Sequence, residues 1–250
     1  MNPNAKTEIQ VQQNWENFCQ HHAIGDWHGT WTIYSSEGKV VDFFKCIRSL
    51  HVSSDGKEIT HQNHYFYTDN KTETKTFGPY NKNTARALFL DNSFSWGTTT
   101  LETDSSFFFE TGFRYKNRRA SIVATYNENG RLNKILTIPE NLAHFIELTP
   151  HSLTELESNN WRGVLRSITP ELITSPAEAT QWKRLEDLRE HHLTLHFPEG
   201  VSISCPPQIE WGKEHFFAVD WLATSALWYR GIRYFDSRGF RAFTLETFTP

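Results

Sequence analysis

Twelve histidines, three cysteines and a scatter of carboxylates are the groups in this 250-residue chain that could do chemistry, and their spacing gives little of it. His61 and His64 stand three apart, but on a strand such residues point to opposite faces and cannot share an ion. His191, His192 and His196 are no better arranged once the chain beyond 193 is extended. With no HExxH string and no Cys/His ligand spacing, neither a metal nor a cofactor is expected. Cys19, Cys46 and Cys205 are odd in number and widely separated, and read as buried, inert, reduced thiols. A Gly-x-Ser-x-Gly nucleophile string is missing. Asp42, Glu102 and Glu110 fall on expected strands. Facing inward, such a carboxyl would have a raised pKa and could act as an acid or base, whereas an outward, solvated position is the commoner state. Catalysis therefore has no signature in the sequence.

The 19 Phe, 9 Trp and 8 Tyr are the informative set. In Tyr65–Tyr67 and Phe107–Phe109 consecutive aromatics on a strand must point to both of its faces. An inward set of Trp31, Phe44, Tyr65, Tyr67, Trp96 and Phe108 would line a lumen with flat walls suited to a conjugated or lipid-like molecule. Arg119, directed inward, would add a partner for a carboxylate or propionate. The outward rings need cover from a helix, a second unit or another copy of the chain. The competing reading is that all of these side chains simply fill a core. Arg114, Arg118 and Arg119 are also candidates to cap the Trp27 indole through a cation–π contact.

These residues have to be positioned by β structure. Thr and aromatic residues favour half-buried strands and exclude a helical bundle, whose cores need Leu, Ala and Met. A net charge of −4 with scattered Lys and Arg argues against nucleic acid as a partner. No apolar run approaches the roughly 20 residues of a membrane span, and no signal-peptide core follows the polar start, so a cytoplasmic location is expected. Val11, Trp15, Phe18 and His22 predict an amphipathic N-terminal helix over 5–22. From Gly29 the period becomes two, and Asp55-Gly56 predicts a hairpin turn between strands at 40–52 and 58–68. Short strands then follow at 74–77, 85–90, 94–100, 107–115, 118–126 and 132–138. This is an antiparallel meander of barrel or sandwich type, without βαβ alternation. Ser175-Pro176-Ala177-Glu178 reads as a capping box opening a second helix that carries Trp182, Leu185 and Leu188. Strands resume near Leu193, Val201, Phe216, Ala226 and Phe240.

Asp26-Trp27-His28-Gly29 is echoed by Asn160-Trp161-Arg162-Gly163, and the hairpin near Phe113-Arg114-Tyr115 by that near Ile232-Arg233-Tyr234. The echo predicts an N-terminal helix at 1–23, a barrel at 24–150 and a second, shorter β unit at 155–250. Trp27 with Arg114, and Trp161 with Arg233, would close the two units.

Gly25-Asp26-Trp27, preceded by a short helix and followed by a meander, resembles the Gly-x-Trp signature of lipocalins and the wider calycin superfamily. In that family the Trp packs across the closed barrel end, often beneath an Arg. Val201–Ile209, Ile232–Gly239 and Phe243–Glu246 resemble an uncharacterised lipocalin-like family found mainly in cyanobacteria and named as a domain of unknown function. The resemblance runs from about Trp15 to the end, and implies a calycin fold and a photosynthetic host. It implies no activity, because relatives by fold span phycobilin lyases, fatty-acid-binding proteins and allene oxide cyclases. The expectation is a duplicated, all-β, lipocalin-like meander barrel that binds a small hydrophobic or pigment-like molecule. A lyase, cyclase or isomerase of the same fold, and a structural or interaction module with a filled core, are the alternatives. Self-association is compatible with each.

Overall fold

The computed structural model describes residues 3–102, 104–146 and 161–250. The expected boundary between 150 and 155 lies outside them. An N-terminal helix, α1 (Pro3–His21), precedes nine strands: β1 (Ile24–Ser35), β2 (Val40–Val52), β3 (Ile59–Phe66), β4 (Thr72–Tyr80), β5 (Leu88–Leu90), β6 (Ser93–Gly97), β7 (Phe107–Tyr115), β8 (Arg118–Tyr126) and β9 (Leu132–Leu142). They form one antiparallel sheet in the order β4-β3-β2-β1-β9-β8-β7-β6-β5. First and last strands pair, so the meander closes at its ends and is open in its middle, between β4 and β5. Gly29 makes that closure possible, since a Cβ there would lie 2.2 Å from the Pro139 carbonyl oxygen.

Helix α1 covers the free side of β5. Asn14 donates to the Ala87 carbonyl (3.1 Å) and accepts from the Phe89 amide (2.7 Å), while Asn17 donates to the Phe89 carbonyl (3.0 Å). Two helix side chains thus satisfy the edge groups that a neighbouring strand would otherwise pair. Below them Trp15 and Phe18 join Trp27, Leu50, Ile59, Phe89 and Phe94 in a hydrophobic cluster.

A second antiparallel sheet follows, made of β10 (Arg162–Ile168), β11 (Glu178–Gln181), β12 (Leu193–His196), β13 (Val201–Cys205), β14 (His215–Thr224), β15 (Leu227–Asp236) and β16 (Gly239–Thr249). Its order is β11-β10-β16-β15-β14-β13-β12. Each Trp-x-Gly step opens a strand that pairs with the last strand of its own sheet, β1 with β9 and β10 with β16. The helix expected from Ser175 is a correction. Glu178–Gln181 pairs with Arg162–Leu165, and only Leu185–Leu188 forms a 3₁₀ turn. The Ser175 hydroxyl, instead of capping a helix, accepts from the Ser167 amide at 2.9 Å. Pairing along the edge of β10 outweighs the local helix signal.

The two sheets meet across the outer face of β7 and β8. Phe107, Phe109, Phe113, Ile122 and Tyr126 pack with Ile203, Cys205, Phe217, Val219, Trp221 and Phe243 in the largest core cluster. Phe217 stands at its centre, with ring centroids 5.1 Å from Phe107 and 4.8 Å from Phe109. Backbone bonds from Leu132 to Pro207 and from Phe240 to Thr99 stitch the seam.

Candidate functional site

Cross-strand register decides which side chains enter the first barrel. Starting from Trp31, paired residues carry one face around the sheet: Phe44, Cys46, Arg48 and Leu50 on β2, then His61, Asn63 and Tyr65 on β3. In the other direction the same face carries Leu136 and Glu140 on β9, Arg119, Ser121 and Val123 on β8, Phe108 and Glu110 on β7, and Trp96 on β6. Six of the seven residues expected to line a lumen, Trp31, Phe44, Tyr65, Trp96, Phe108 and Arg119, therefore lie on the inner face, and Tyr67, one residue beyond β3, packs against Phe44 and Tyr65. They do not all reach its empty space. A cavity of about 370 Å³ is walled by Trp31, Trp96 and Arg119, together with Arg48, His61, Asn63, Glu110 and apolar side chains of α1, β2, β4–β6, β8 and β9. Phe44 and Tyr65 stand behind Trp31, each with its ring centroid 5.8 Å away, and Tyr67 stacks on Tyr65 at 6.2 Å. Phe108 meets the edge of Trp96 at 5.2 Å. The half-exposed rings of Phe77 and Trp96 belong to both wall and surface and mark the mouth, beside the edge strands β4 and β5.

The closed end is built around Trp27, which has no exposed surface. The Arg119 guanidinium lies 4.6 Å from its ring and that of Arg114 lies 5.9 Å away. The Trp27 indole N–H donates to the His22 carbonyl at 2.9 Å, and Arg114 donates to the carbonyls of Gln20 and His21. A cation thus caps the last turn of α1 and fastens the helix over the barrel base. Trp161 packs at 5.8 Å against Trp228 in the second sheet. Arg233 has a different task from the closure expected of it. It crosses the seam to donate to the Ser95 hydroxyl (2.8 Å) and the Thr98 carbonyl (3.1 Å) of the first sheet.

Inside the barrel two arginines meet two glutamates. Arg119 Nε donates to Glu140 at 2.8 Å, and Arg48 lies 3.5 Å from Glu110 and 3.4 Å from Glu140. Glu110 accepts from the Ser121 hydroxyl (2.7 Å) and the Trp96 indole (2.6 Å). Burial pushes the Glu110 carboxyl up, but Arg48 and these two hydrogen bonds outweigh it and hold the pKa below the usual value. For Arg48 burial works against the charge, and Glu140 and Glu110 more than offset it, so its pKa stands above that of a free arginine. The role expected for Arg119, an anion partner in the lumen, is already filled by Glu140.

A second polar string runs along β3. His61 Nε2 bonds Asn63 Oδ1 (2.9 Å), its Nδ1 faces the Tyr80 hydroxyl (3.2 Å), and Asn63 donates to the Tyr65 hydroxyl (2.8 Å). Burial, reinforced by Arg48, lowers the His61 pKa to about 4. The imidazole is therefore neutral at physiological pH. Both glutamates are countered by arginines, a third arginine, Arg86, lines the cavity from its exposed side, and the rest of the wall is largely apolar.

Sequence reasoning missed Arg48, Glu140, Asn63 and Ser121, and it left the direction of Glu110 open. Register was the signal that could have found them: Arg48 alternates with Cys46 and Leu50, and Glu140 stands opposite Gly29. Burial raises the thiol pKa of both Cys46 and Cys205 to about 12, which leaves them unreactive.

Comparisons with known proteins give a family and no activity. Residues 11–145 match the model "Domain of unknown function (DUF3598), N-terminal". Residues 159–247 match the model "Biogenesis factor required for ATP synthase 1, C-terminal domain". None of the curated proteins matches the sequence. The crystal structure of a DUF3598-family protein of unknown function from Nostoc punctiforme superposes with a TM-score of 0.76 at 22% identity, over 94% of this chain and 98% of its own. A structure from Bacteroides fragilis aligns over 96% of this chain and 99% of its own, but at 10% identity and a TM-score of 0.26 it carries no argument. With more than half of its length matched by the N-terminal model, the chain belongs to the DUF3598 family.

Proposed function

We propose that the first barrel binds a small, neutral, largely apolar molecule in a lipocalin-like manner. The observation that carries this reading is the 370 Å³ cavity, whose wall draws on both branches of the meander and on α1. Its volume falls within the range of about 300–1,000 Å³ typical of ligand pockets, and its apolar wall with a few fixed polar groups has the usual composition of one. Arg48 and Arg119 are paired internally with Glu110 and Glu140, so the buried charges are compensated within the protein, and Arg86 lines the cavity from its exposed side. In the test, protein purified from its native cells is extracted with organic solvent and the extract analysed by mass spectrometry. In parallel the stripped protein is titrated with a neutral apolar dye whose emission shifts on leaving water. A bound molecule, or saturable dye binding that Val123→Trp abolishes by filling the lumen, is the expected result. An empty extract together with dye binding indifferent to Val123→Trp overturns the reading.

The C-terminal match supports a second reading, that residues 159–247 serve in assembling an ATP synthase, as the name of that family says of its own members. Recovery of ATP synthase subunits with the tagged full-length chain, and a fall in assembled ATP synthase when its gene is deleted, are the expected results. Normal ATP synthase content in the deletion strain overturns this reading.

A further inference from the structure

The wall of the cavity offers a hydrogen-bond donor to which the described residues supply only long contacts. Arg48 brings five N–H groups into a space where only 7% of the residue's surface remains exposed. Its one hydrogen bond among the described residues is the long 3.5 Å contact from Nη1 to Glu110. Nε faces Glu140 at 3.4 Å without hydrogen-bond geometry, and Nη2 bonds no described residue. The Trp31 indole N–H, in the same wall and 4.6 Å from the guanidinium by its ring, is also unpaired. Charged donors that are nearly buried and lack good acceptors are costly, so a site of this kind is completed by an oxygen that enters through the mouth.

Acceptors in the same wall are committed. The two oxygens of Glu110 are held by Ser121 and Trp96, and Asn63 Oδ1 by His61. Glu140, whose side chain has no exposed surface, does not reach the cavity. A ligand that must itself donate finds little to receive its proton, while one that accepts finds Arg48.

We propose that Arg48 is the polar recognition point of the lumen, and that the ligand is a neutral molecule with a planar apolar body ending in a carbonyl oxygen. The carbonyl accepts from the Arg48 guanidinium while the body lies along the apolar wall between Trp31 and Trp96. A carboxylate accepting from Arg48 would bring a second negative charge beside Glu110, which already faces that guanidinium. This inference rests on the ligand-binding reading above and narrows its ligand class.

Three naphthalenes of similar size separate the possibilities: 2-acetylnaphthalene, 2-ethylnaphthalene and 2-naphthoate, each titrated into the full chain and followed by quenching of tryptophan fluorescence. The ethyl compound is the more hydrophobic, so burial of apolar surface alone would favour it. The ketone is expected to bind at least about tenfold more tightly than either of the others, as a charge-assisted hydrogen bond allows. In Arg48→Met that preference should vanish while ethyl binding changes less than about threefold, the methionine filling similar space without donors. Should the variant fail to fold, the comparison in the unaltered protein still decides. Equal binding of ketone and hydrocarbon, or tightest binding of the carboxylate, overturns the assignment and leaves the lumen reading standing. Absence of binding by all three overturns both.

Discussion

At the scale of single residues, the first barrel depends on a few large side chains that have no alternative place. Trp27 is fully enclosed, with Arg119 over its ring, Arg114 nearby and its N–H bonded to the His22 carbonyl. Truncating it removes a large apolar body and leaves a guanidinium facing a void. Trp27→Ala should cost about 3–5 kcal/mol, read as a lower urea midpoint at unchanged slope; an unaltered midpoint would refute the placement. In the sequence this residue was marked out, by a Gly-x-Trp step before a meander. Arg48 was not. Nothing in Phe44-Lys45-Cys46-Ile47-Arg48 says which alternate set faces inward, and an arginine on a strand is ordinarily solvated. Only the pairing of β1 with both β2 and β9, a long-range fact, sends Arg48 and Glu140 to the same interior.

Strands with strict alternation and clear turn residues were readable as elements, and so was the amphipathic helix; what failed was the segment after Ser175, where local signals met a sheet edge needing a partner. The role of α1 was hidden for a related reason. Its polar face carries Asn14 and Asn17, which in a sequence read as solvated residues, yet both are buried and bonded to the backbone of β5. They take the place of a strand at the gap in the sheet. Asn14→Ala would leave the Phe89 amide buried and unpaired, at a cost of about 1–3 kcal/mol. Hydrogen exchange offers the specific check: the Phe89 amide should lose protection in this variant well before amides of β8. Equal protection of Phe89 in variant and parent would show that α1 does not hold the edge. Because Phe18 of the same helix and His22 just beyond it help wall the cavity, loosening this edge should also weaken binding in the lumen.

For the molecule as a whole, the aromatic excess has three main destinations: the inner face of the first barrel, the seam where its outer wall meets the second sheet, and a separate cluster of Trp161, Trp182, Trp228 and Phe248 on the second sheet. Which rings go where depended on register, and was closed to a reading of composition. The seam couples the two sheets. Phe217→Ala, at its centre, should cost about 3–5 kcal/mol and lower a single unfolding transition seen alike by tryptophan fluorescence and far-ultraviolet dichroism; two separated transitions would show that the sheets unfold independently. Acid response is the broader consequence of the way charge is buried. His61 and His192 are lowered to about 4 from 6.5, in each case first by burial, and His22 is held well below 6.5 for the same reason. Between those values the unfolded chain binds protons that the folded chain refuses, so stability present above 6.5 is lost as the pH falls towards 4. Glu246 acts in the opposite sense, because burial raises its pKa from 4.5 to about 6 and the folded state binds its proton more readily in that interval. One carboxyl set against three imidazoles leaves the unfolded state the stronger proton acceptor. Urea midpoints should therefore fall steadily from about pH 7 to pH 4.5, and His61→Gln should flatten part of that slope. A midpoint that stays level or rises on acidification would mean that these histidines accept protons within the fold, and that the lumen around His61 is wetter than its packing indicates.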